Sequence, residues 1–166
     1  MQFEDAKKEF IQTWGTLGSN WGINRTMAQI NGLLLIATKP LSTEDIMEEL
    51  SISRGNANMN IRTLIDWGIV HKVWVVGERK EFFRSEKDVW KLASRIAAER
   101  RKKEIEPLIR TLNELKDAEG EGEEAEEFRR MNTELHNYSK KMDSILDKFI
   151  RSDENWFLRS IKSLLT

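Results

Sequence analysis

A mainly α-helical chain carrying a single β-hairpin is what this sequence predicts, on three observations. Apolar residues recur at helical spacing along most of the 166 residues, and only two prolines interrupt it. After Gly68 the pattern switches once, from helical to extended. The composition, 39% hydrophobic and 33% charged, is that of a helix-rich protein with long exposed faces.

Phe3, Phe10, Trp14, Leu17 and Trp21 follow one another at steps of seven, four, three and four, the spacing of one helix face. Gly15, Gly18 and Gly22 interrupt that helix, which is expected to end near Ser19. A second helix is expected over 24–38, with Met27, Ile30, Leu33, Leu34 and Ala37 apolar, and Pro40 stops it. Ser42 reads as the N-cap of a short helix ending near Leu50, with Glu44 and Asp45 at its positive end. Ser51-Ile52-Ser53 is a tight connection. Ser53 then caps a third helix that runs to about Trp67, where Gly68 ends it.

The stretch IVHKVWVV, residues 69–76, is β-branched and aromatic; GERK is a turn and residues 81–85 return as a second strand. From Asp88 the helical period resumes through Val89, Leu92, Ile96, Ile105, Leu108, Ile109, Leu112 and Leu115, with Pro107 expected to kink it. Residues 117–127 hold seven acids and read as a flexible acidic link. Phe128, Met131, Leu135, Tyr138, Met142, Ile145 and Phe149 then alternate steps of three and four, a heptad seam. A short closing helix is expected around Trp156, Phe157, Ile161, Leu164 and Leu165.

Several function classes drop out. The chain has no cysteine, which excludes disulfides, thiolate nucleophiles and Cys-based zinc sites. His71 and His136 lie in different elements without metal-ligand spacing, His136 reading as solvent-facing, and no GxxxxGK loop occurs. The acids of 117–127 lack the fixed placement that acid–base catalysis needs. No enzyme, no metal and no cofactor is therefore expected. The opening MQFEDAKKEF has no apolar signal core, and the longest apolar run, 33–37, is far short of the roughly 20 residues of a membrane span. The expectation is a soluble, cytoplasmic protein.

Net charge is −1, but residues 53–84 carry six bases against three acids, so a basic face is expected there. Helix, tight turn, helix and hairpin, in that order within 42–85, is the pattern of a winged helix-turn-helix. On the helix after Ser53, Ala57, Ile61, Leu64 and Ile65 share one side. Gly55, Asn56, Met59, Arg62, Thr63 and Asp66 take the other, flanked by Asn58 and Asn60. Arg54 stands in the first turn, where side chains reach base edges. Asn matches adenine, Arg matches guanine, an apolar tip such as Met59 meets a thymine methyl, and Gly55 lets the backbone approach closely. Arg79 and Lys80 beside Gly77 suit phosphates or the minor groove, and Lys72 and Arg84 suit phosphates. Any one of these residues also fits an ordinary solvated face, and a winged helix can serve protein assembly instead of DNA.

Residues 50–90, with SRGNANMNIR, LIDWGIVHKVW, GERKEFF and SEKDVW, resemble the MarR-like winged-helix regulators, and within them the GbsR group, which includes repressors of glycine-betaine and choline genes. WGTLGSNWGINRTMAQINGLL near the start is similar to that group too. The resemblance implies a homodimer that binds a pseudo-palindromic operator in double-stranded DNA, in some members released by a small molecule. It assigns DNA contact to Ser53, Arg54, Asn56, Asn58, Asn60, Arg62, Arg79 and Lys80.

The expected organisation is an N-terminal helix over 1–23 supporting dimerisation, a winged helix-turn-helix with a two-stranded wing over 24–87, and a helical dimerisation region over 88–166. The heptad seam, with Phe157 and Ile161, is the candidate dimer contact. Packing of the seam on the chain's own helix 88–115 is an equal alternative. Trp14, Trp21 and Trp90 are candidates for holding a choline- or betaine-like effector by cation–π attraction, although core or interface packing also accounts for each of the six tryptophans.

Overall fold

The computed structural model describes residues 1–20, 22–152 and 155–156. The chain divides into two compact units, Met1–Leu92 and Ala93–Thr166.

In the first unit, α1 (Phe3–Asn20) lies along α2 (Arg25–Ile36). Gly15 and Gly18 of α1 and Gly32 of α2 are what permits this approach. A Cβ on Gly18 would stand 2.4 Å from the Cβ of Ala28, and one on Gly32 would stand 3.0 Å from the indole of Trp14. Helix α2 is the most buried element, with Met27, Ala28, Ile30, Leu33 and Leu34 in the core. Asn24 caps its start, accepting from the backbone N–H groups of Thr26 and Met27. At its end the Lys87 ammonium donates to the carbonyls of Leu34 (3.0 Å), Leu35 and Ala37 (2.9 Å), oxygens the helix leaves without intrahelical partners.

Helices α3 (Thr43–Leu50) and α4 (Arg54–Asp66) follow. A full capping box starts α3: the Asp45 N–H donates to Ser42 Oγ (3.2 Å) and the Ser42 N–H to Asp45 Oδ2 (2.8 Å). Ser51 closes α3 in the left-handed region, at φ 51, and this makes the tight turn into α4. Ala57, Ile61 and Leu64 of α4 are buried at steps of four and three, together with Ile46, Ile69, Val70 and Phe83. Each Ile or Leu so buried contributes roughly 1.5–3 kcal/mol. Gly68, at φ 71, turns the chain out of α4 and into the sheet.

The sheet differs from the expected two-stranded hairpin. It has three antiparallel strands in the order β1 (Leu41–Ser42), β3 (Phe82–Ser85), β2 (Val70–Val73). Leu41 pairs with Phe83 on one side of β3, and Lys72 pairs with Phe83 on the other. Two residues after Pro40 carry no period of their own, so β1 exists only through its partner. The wing strands are also shorter than expected. Pairing stops at Val73, and the Glu78 N–H donates to the Val75 carbonyl in a turn that leads to Gly77 at φ 84. Trp74 and Val76 are therefore loop residues, and both stand out in solvent.

Helix α5 spans Val89–Arg100. The second unit continues through a π-helical turn, Arg101–Ile105, into α6 (Glu106–Glu114) and then α7 (Glu123–Arg151). The irregularity expected at Pro107 is this π-turn: the Glu106 N–H reaches back to the carbonyl of Arg101, just before a residue that has no N–H to offer. Helix α7 begins inside the acidic tract, because Glu123, Glu124 and Glu126 suit the positive end of a helix. The coil between α6 and α7 is correspondingly shorter than the tract.

Helix α7 packs on α6 and the π-turn with a face other than the heptad seam. Buried Asn132 donates its amide to the Leu112 carbonyl (2.8 Å). Arg101 forks onto Asp143, with Nε to Oδ1 at 2.6 Å and Nη2 to Oδ2 at 3.0 Å, and also pairs with Asp147 at 3.1 Å. His136, expected in solvent, lies half-buried on this same row. The seam itself is exposed: Phe128, Met131, Leu135, Tyr138, Met142 and Ile145 are between 38% and 63% accessible, and Phe149 is half-buried. Trp21 and, in the expected closing helix, Phe157, Ile161, Leu164 and Leu165 lie outside the described residues.

Candidate nucleic-acid interface

Helix α4 buries Ala57, Ile61 and Leu64 and leaves Arg54, Gly55, Met59, Arg62 and Asp66 exposed, with Asn56, Asn58 and Thr63 half-buried. Its exposed side carries two guanidinium groups and an apolar tip before the first acid, Asp66. Ser53 serves as N-cap: its Oγ accepts from the Asn56 N–H at 3.3 Å. Thr63 turns its hydroxyl back to the Met59 carbonyl, at 3.1 Å.

Asn60 does not stand where the sequence puts it. It is 3% exposed, and its amide donates to the Asn56 carbonyl (2.9 Å) and to Asn56 Oδ1 (2.7 Å). Both its donors are turned into the helix, so it holds the Asn56 amide in place instead of reaching outward. On a helical wheel Asn60 lies at the boundary between faces, and only the packing around α4 decides such a position.

Arg54 meets Glu44, an acid whose place in the sequence suits the positive end of α3. One of its terminal nitrogens, Nη2, donates to Glu44 Oε1 at 2.7 Å across the helix–turn–helix. This hydrogen bond is the main reason the Glu44 carboxyl titrates below its usual range, and the charge of Lys80 lowers it further. Lys80 also lowers the Asp45 carboxyl, after the larger effect of the Ser42 capping hydrogen bonds. The wing cation therefore lies within electrostatic reach of the first turn of α3.

Along the wing, Arg79, Lys80 and Arg84 are exposed, Arg84 facing His71 across the strand pair. Lys72 is ion-paired with Glu81 on the returning side of the wing. Trp74, 88% exposed, and Val76 lie beyond the paired strand, in the wing loop, and not in the strand over 69–76 that the sequence predicts. Of the aromatic set, Trp14 stacks on Phe10 (centroids 5.7 Å apart) and donates its indole N–H to Asn31 Oδ1 at 3.0 Å. Trp90 is half-buried.

A short capped helix, a left-handed turn, an exposed second helix and a small antiparallel sheet with a basic wing make a winged helix-turn-helix. That is the architecture of a class of DNA-binding regulators. The comparisons agree at this level. A solved crystal structure of a transcriptional regulator superposes with a TM-score of 0.66, covering 87% of this chain and 95% of that one at 20% identity.

By sequence the chain is similar to the HTH-type transcriptional repressor OpcR of Bacillus subtilis (strain 168), 25% identical over 161 residues, which are 91% of this chain and 87% of that protein. It is also similar to the putative HTH-type transcriptional regulator YvaV of the same organism, 24% identical over 87 residues, and to the HTH-type transcriptional regulator MmpR5 of Mycobacterium tuberculosis, 29% identical over 77 residues. Those two alignments span 49% and 47% of the relatives' lengths, and 52% and 46% of this chain. No protein-family profile matches the chain. The relatives are regulators and not enzymes. Among the described residues no helix is long and apolar enough to cross a membrane.

Proposed function

We propose that the protein is a homodimeric, sequence-specific DNA-binding transcriptional regulator of the MarR/GbsR-like group, acting as a cytoplasmic repressor. The observation that carries this reading is the exposed side of α4, where Arg54, Met59 and Arg62 stand before any acid while the wing offers Arg79 and Lys80. Helix α4 enters the major groove, with Arg54, Asn56, Asn58, Met59 and Arg62 toward the bases, and Arg79, Lys80, Lys72 and Arg84 hold the flanking backbone. Two copies related by a two-fold axis read half-sites about one DNA turn, roughly 34 Å, apart. The exposed apolar seam of α7 supports the dimer, since a soluble chain rarely leaves such a stripe to water.

The test is a gel shift with duplex DNA from upstream of the protein's own gene at two salt concentrations. Phosphate contacts release counterions, so affinity falls steeply with salt, and loss of one contact reduces the logarithmic slope by about one. Arg54→Ala weakens binding to that DNA. Salt-insensitive binding, or binding that Arg54→Ala leaves unchanged, contradicts the reading.

The effector half of the proposal is a choline- or betaine-like cation held near Trp14, Trp21 and Trp90. It rests on the attraction of indole faces for quaternary ammonium groups, roughly 0.5–2 kcal/mol per contact. Titration of choline and betaine against tryptophan fluorescence checks it, and no change at millimolar ligand refutes it.

A second reading, a winged helix that assembles with protein, is favoured by one observation: Trp74 and Val76 stand exposed at the wing. Under that reading Arg54→Ala combined with Arg79→Ala leaves partner binding intact.

A further inference from the structure

Glu44 opens α3 on the same side of the helix–turn–helix as the start of α4. Its carboxylate holds Arg54 at 2.7 Å through one terminal nitrogen only, so the rest of the guanidinium fork stays available. Both side chains are about half exposed, at 58% and 43%, so the pair lies on the outer surface and not in the core. Glu44 is not needed for the cap of α3, because Asp45 supplies the capping box with Ser42. Lys80 of the wing feels the same carboxylate. An acid beside the first turn of the reading helix works against attraction to any polyanion. Such a position has a cost for general DNA binding and calls for a compensating role.

We propose that Glu44 is a specificity-determining residue: it keeps the Arg54 fork turned toward a base edge and away from the nearest phosphate. This rests on the DNA-binding reading above.

The physical reasoning compares two complexes. On non-cognate DNA, Arg54 gains most by swinging to a phosphate oxygen, which breaks the Glu44 hydrogen bond and leaves that carboxylate facing the backbone charge. On a site with guanine at the matching position, the free donors of the fork meet O6 and N7 while Nη2 keeps its second hydrogen on Glu44. Glu44 thus disfavours the first complex and is retained in the second. The effect is modest, because an exposed ion pair contributes little, a factor of about two to five in an equilibrium constant.

The experiment uses the full chain and two duplexes of equal length and composition. One is the operator recovered by selection from a randomised pool, the other its shuffled counterpart. Affinities are measured by fluorescence anisotropy for the wild type, Glu44→Gln, Arg54→Ala and the double variant. Glu44→Gln is expected to tighten binding to the shuffled duplex and to lower the operator-to-shuffled ratio about two- to fivefold. In the Arg54→Ala background the same change leaves the ratio where it was, because Glu44 acts through Arg54. A ratio that is unchanged or raised by Glu44→Gln overturns the proposal, as does an equal loss of ratio with and without Arg54; either marks Glu44 as bulk charge. Recovery of no operator by the wild type defeats the DNA-binding reading itself, and Glu44 falls with it. Superposable melting curves for the four proteins establish that folding is not what changes.

Discussion

The indole N–H of Trp14 donates to Asn31 Oδ1 at 3.0 Å, and the amide of Asn31 in turn donates to Ser85 Oγ at 3.0 Å. One buried side chain of α2 therefore ties the N-terminal helix to strand β3 at the base of the wing. Asn31 and Ser85 are almost wholly excluded from water, and the Ser85 hydroxyl also donates to the Glu86 carbonyl at 3.2 Å. Asn31→Leu removes the middle member and leaves the Trp14 N–H and the Ser85 hydroxyl without that partner. The expected loss in urea unfolding is about 1–3 kcal/mol, chiefly from the Trp14 N–H because the Ser85 hydroxyl keeps the Glu86 carbonyl, with a shift in tryptophan emission. Ser85→Ala removes the acceptor of the Asn31 amide and the hydroxyl that donates to the Glu86 carbonyl, and leaves the Trp14–Asn31 bond in place. Equal stability of the Asn31→Leu variant would show that the neighbours or water satisfy these atoms.

Two glycines are expected to respond in opposite ways. A side chain at Gly18 meets Ala28 at 2.4 Å, so Gly18→Val pushes α1 off α2 and destabilises by about 1–3 kcal/mol or more. A side chain at Gly55 meets nothing within 4 Å, and helical Gly is less favourable than Ala by about 0.5–1 kcal/mol. Gly55→Ala therefore raises the melting temperature. It also thickens the side of α4 proposed to approach DNA, so operator affinity falls while stability rises. A variant gaining in both would remove close backbone approach as the reason for glycine there.

What could be read from the chain in advance follows from how local each signal is. Ser42 with Asp45, the Ser53 cap, and the Ala57–Ile61–Leu64 row are settled within a few residues, and the structure has them as the sequence implies. Strand β1 was invisible because Leu41 and Ser42 become a strand only by pairing with β3, some forty residues on. Trp74 and Val76 have strand-forming side chains but no ladder partners, and propensity cannot supply a partner. The seam on α7 was plain as a pattern, yet the face α7 turns to its own chain is a more polar row through Asn132, His136 and Asp143, held by Arg101 and a backbone carbonyl. Hydrophobic spacing finds apolar stripes and passes over a helix contact made by hydrogen bonds. Glu44 was legible as a helix-starting acid. Its bond to Arg54 needed the turn geometry between α3 and α4.

Acid sensitivity is expected at two of the carboxylates held below their usual range. Arg101 holds the Asp143 carboxyl below its usual range, chiefly by hydrogen bonding, and the Ser42 cap does the same for Asp45. A carboxyl whose folded-state pKa is depressed stabilises the fold above its unfolded value, near 3.9 for Asp, and that contribution is lost as pH falls through the depressed value. Stability is thus expected to be flat around neutrality and to fall below about pH 4. Asp143→Asn and Asp45→Asn lower stability at pH 7 and flatten the acid limb, each in the unit it belongs to. Arg101→Lys shows part of the Asp143 effect, since an ammonium cannot reproduce the two-pronged contact. An acid limb of the same slope in Asp143→Asn would show that Asp143 does not carry it.

The α7 seam yields the most direct test of assembly. Leu135 and Tyr138 lie near its middle and are 50% and 63% exposed, so their replacement disturbs little of the packing within the chain. The contacts that hold α7 to α6 and the π-turn run through Asn132, Asp143 and Asp147 on another face. Leu135→Lys with Tyr138→Lys places two cations on the stripe. If the stripe joins two copies, like charges meet across the two-fold axis, and sedimentation shows a monomer whose helical content matches the wild type. Operator affinity then drops steeply, because each half-site must be bound alone and the gain from linking two reading helices is lost. A double variant that remains dimeric moves the interface elsewhere. A wild type that is already monomeric at micromolar concentration would leave the exposed stripe to a different partner and remove the two-fold operator from the proposal.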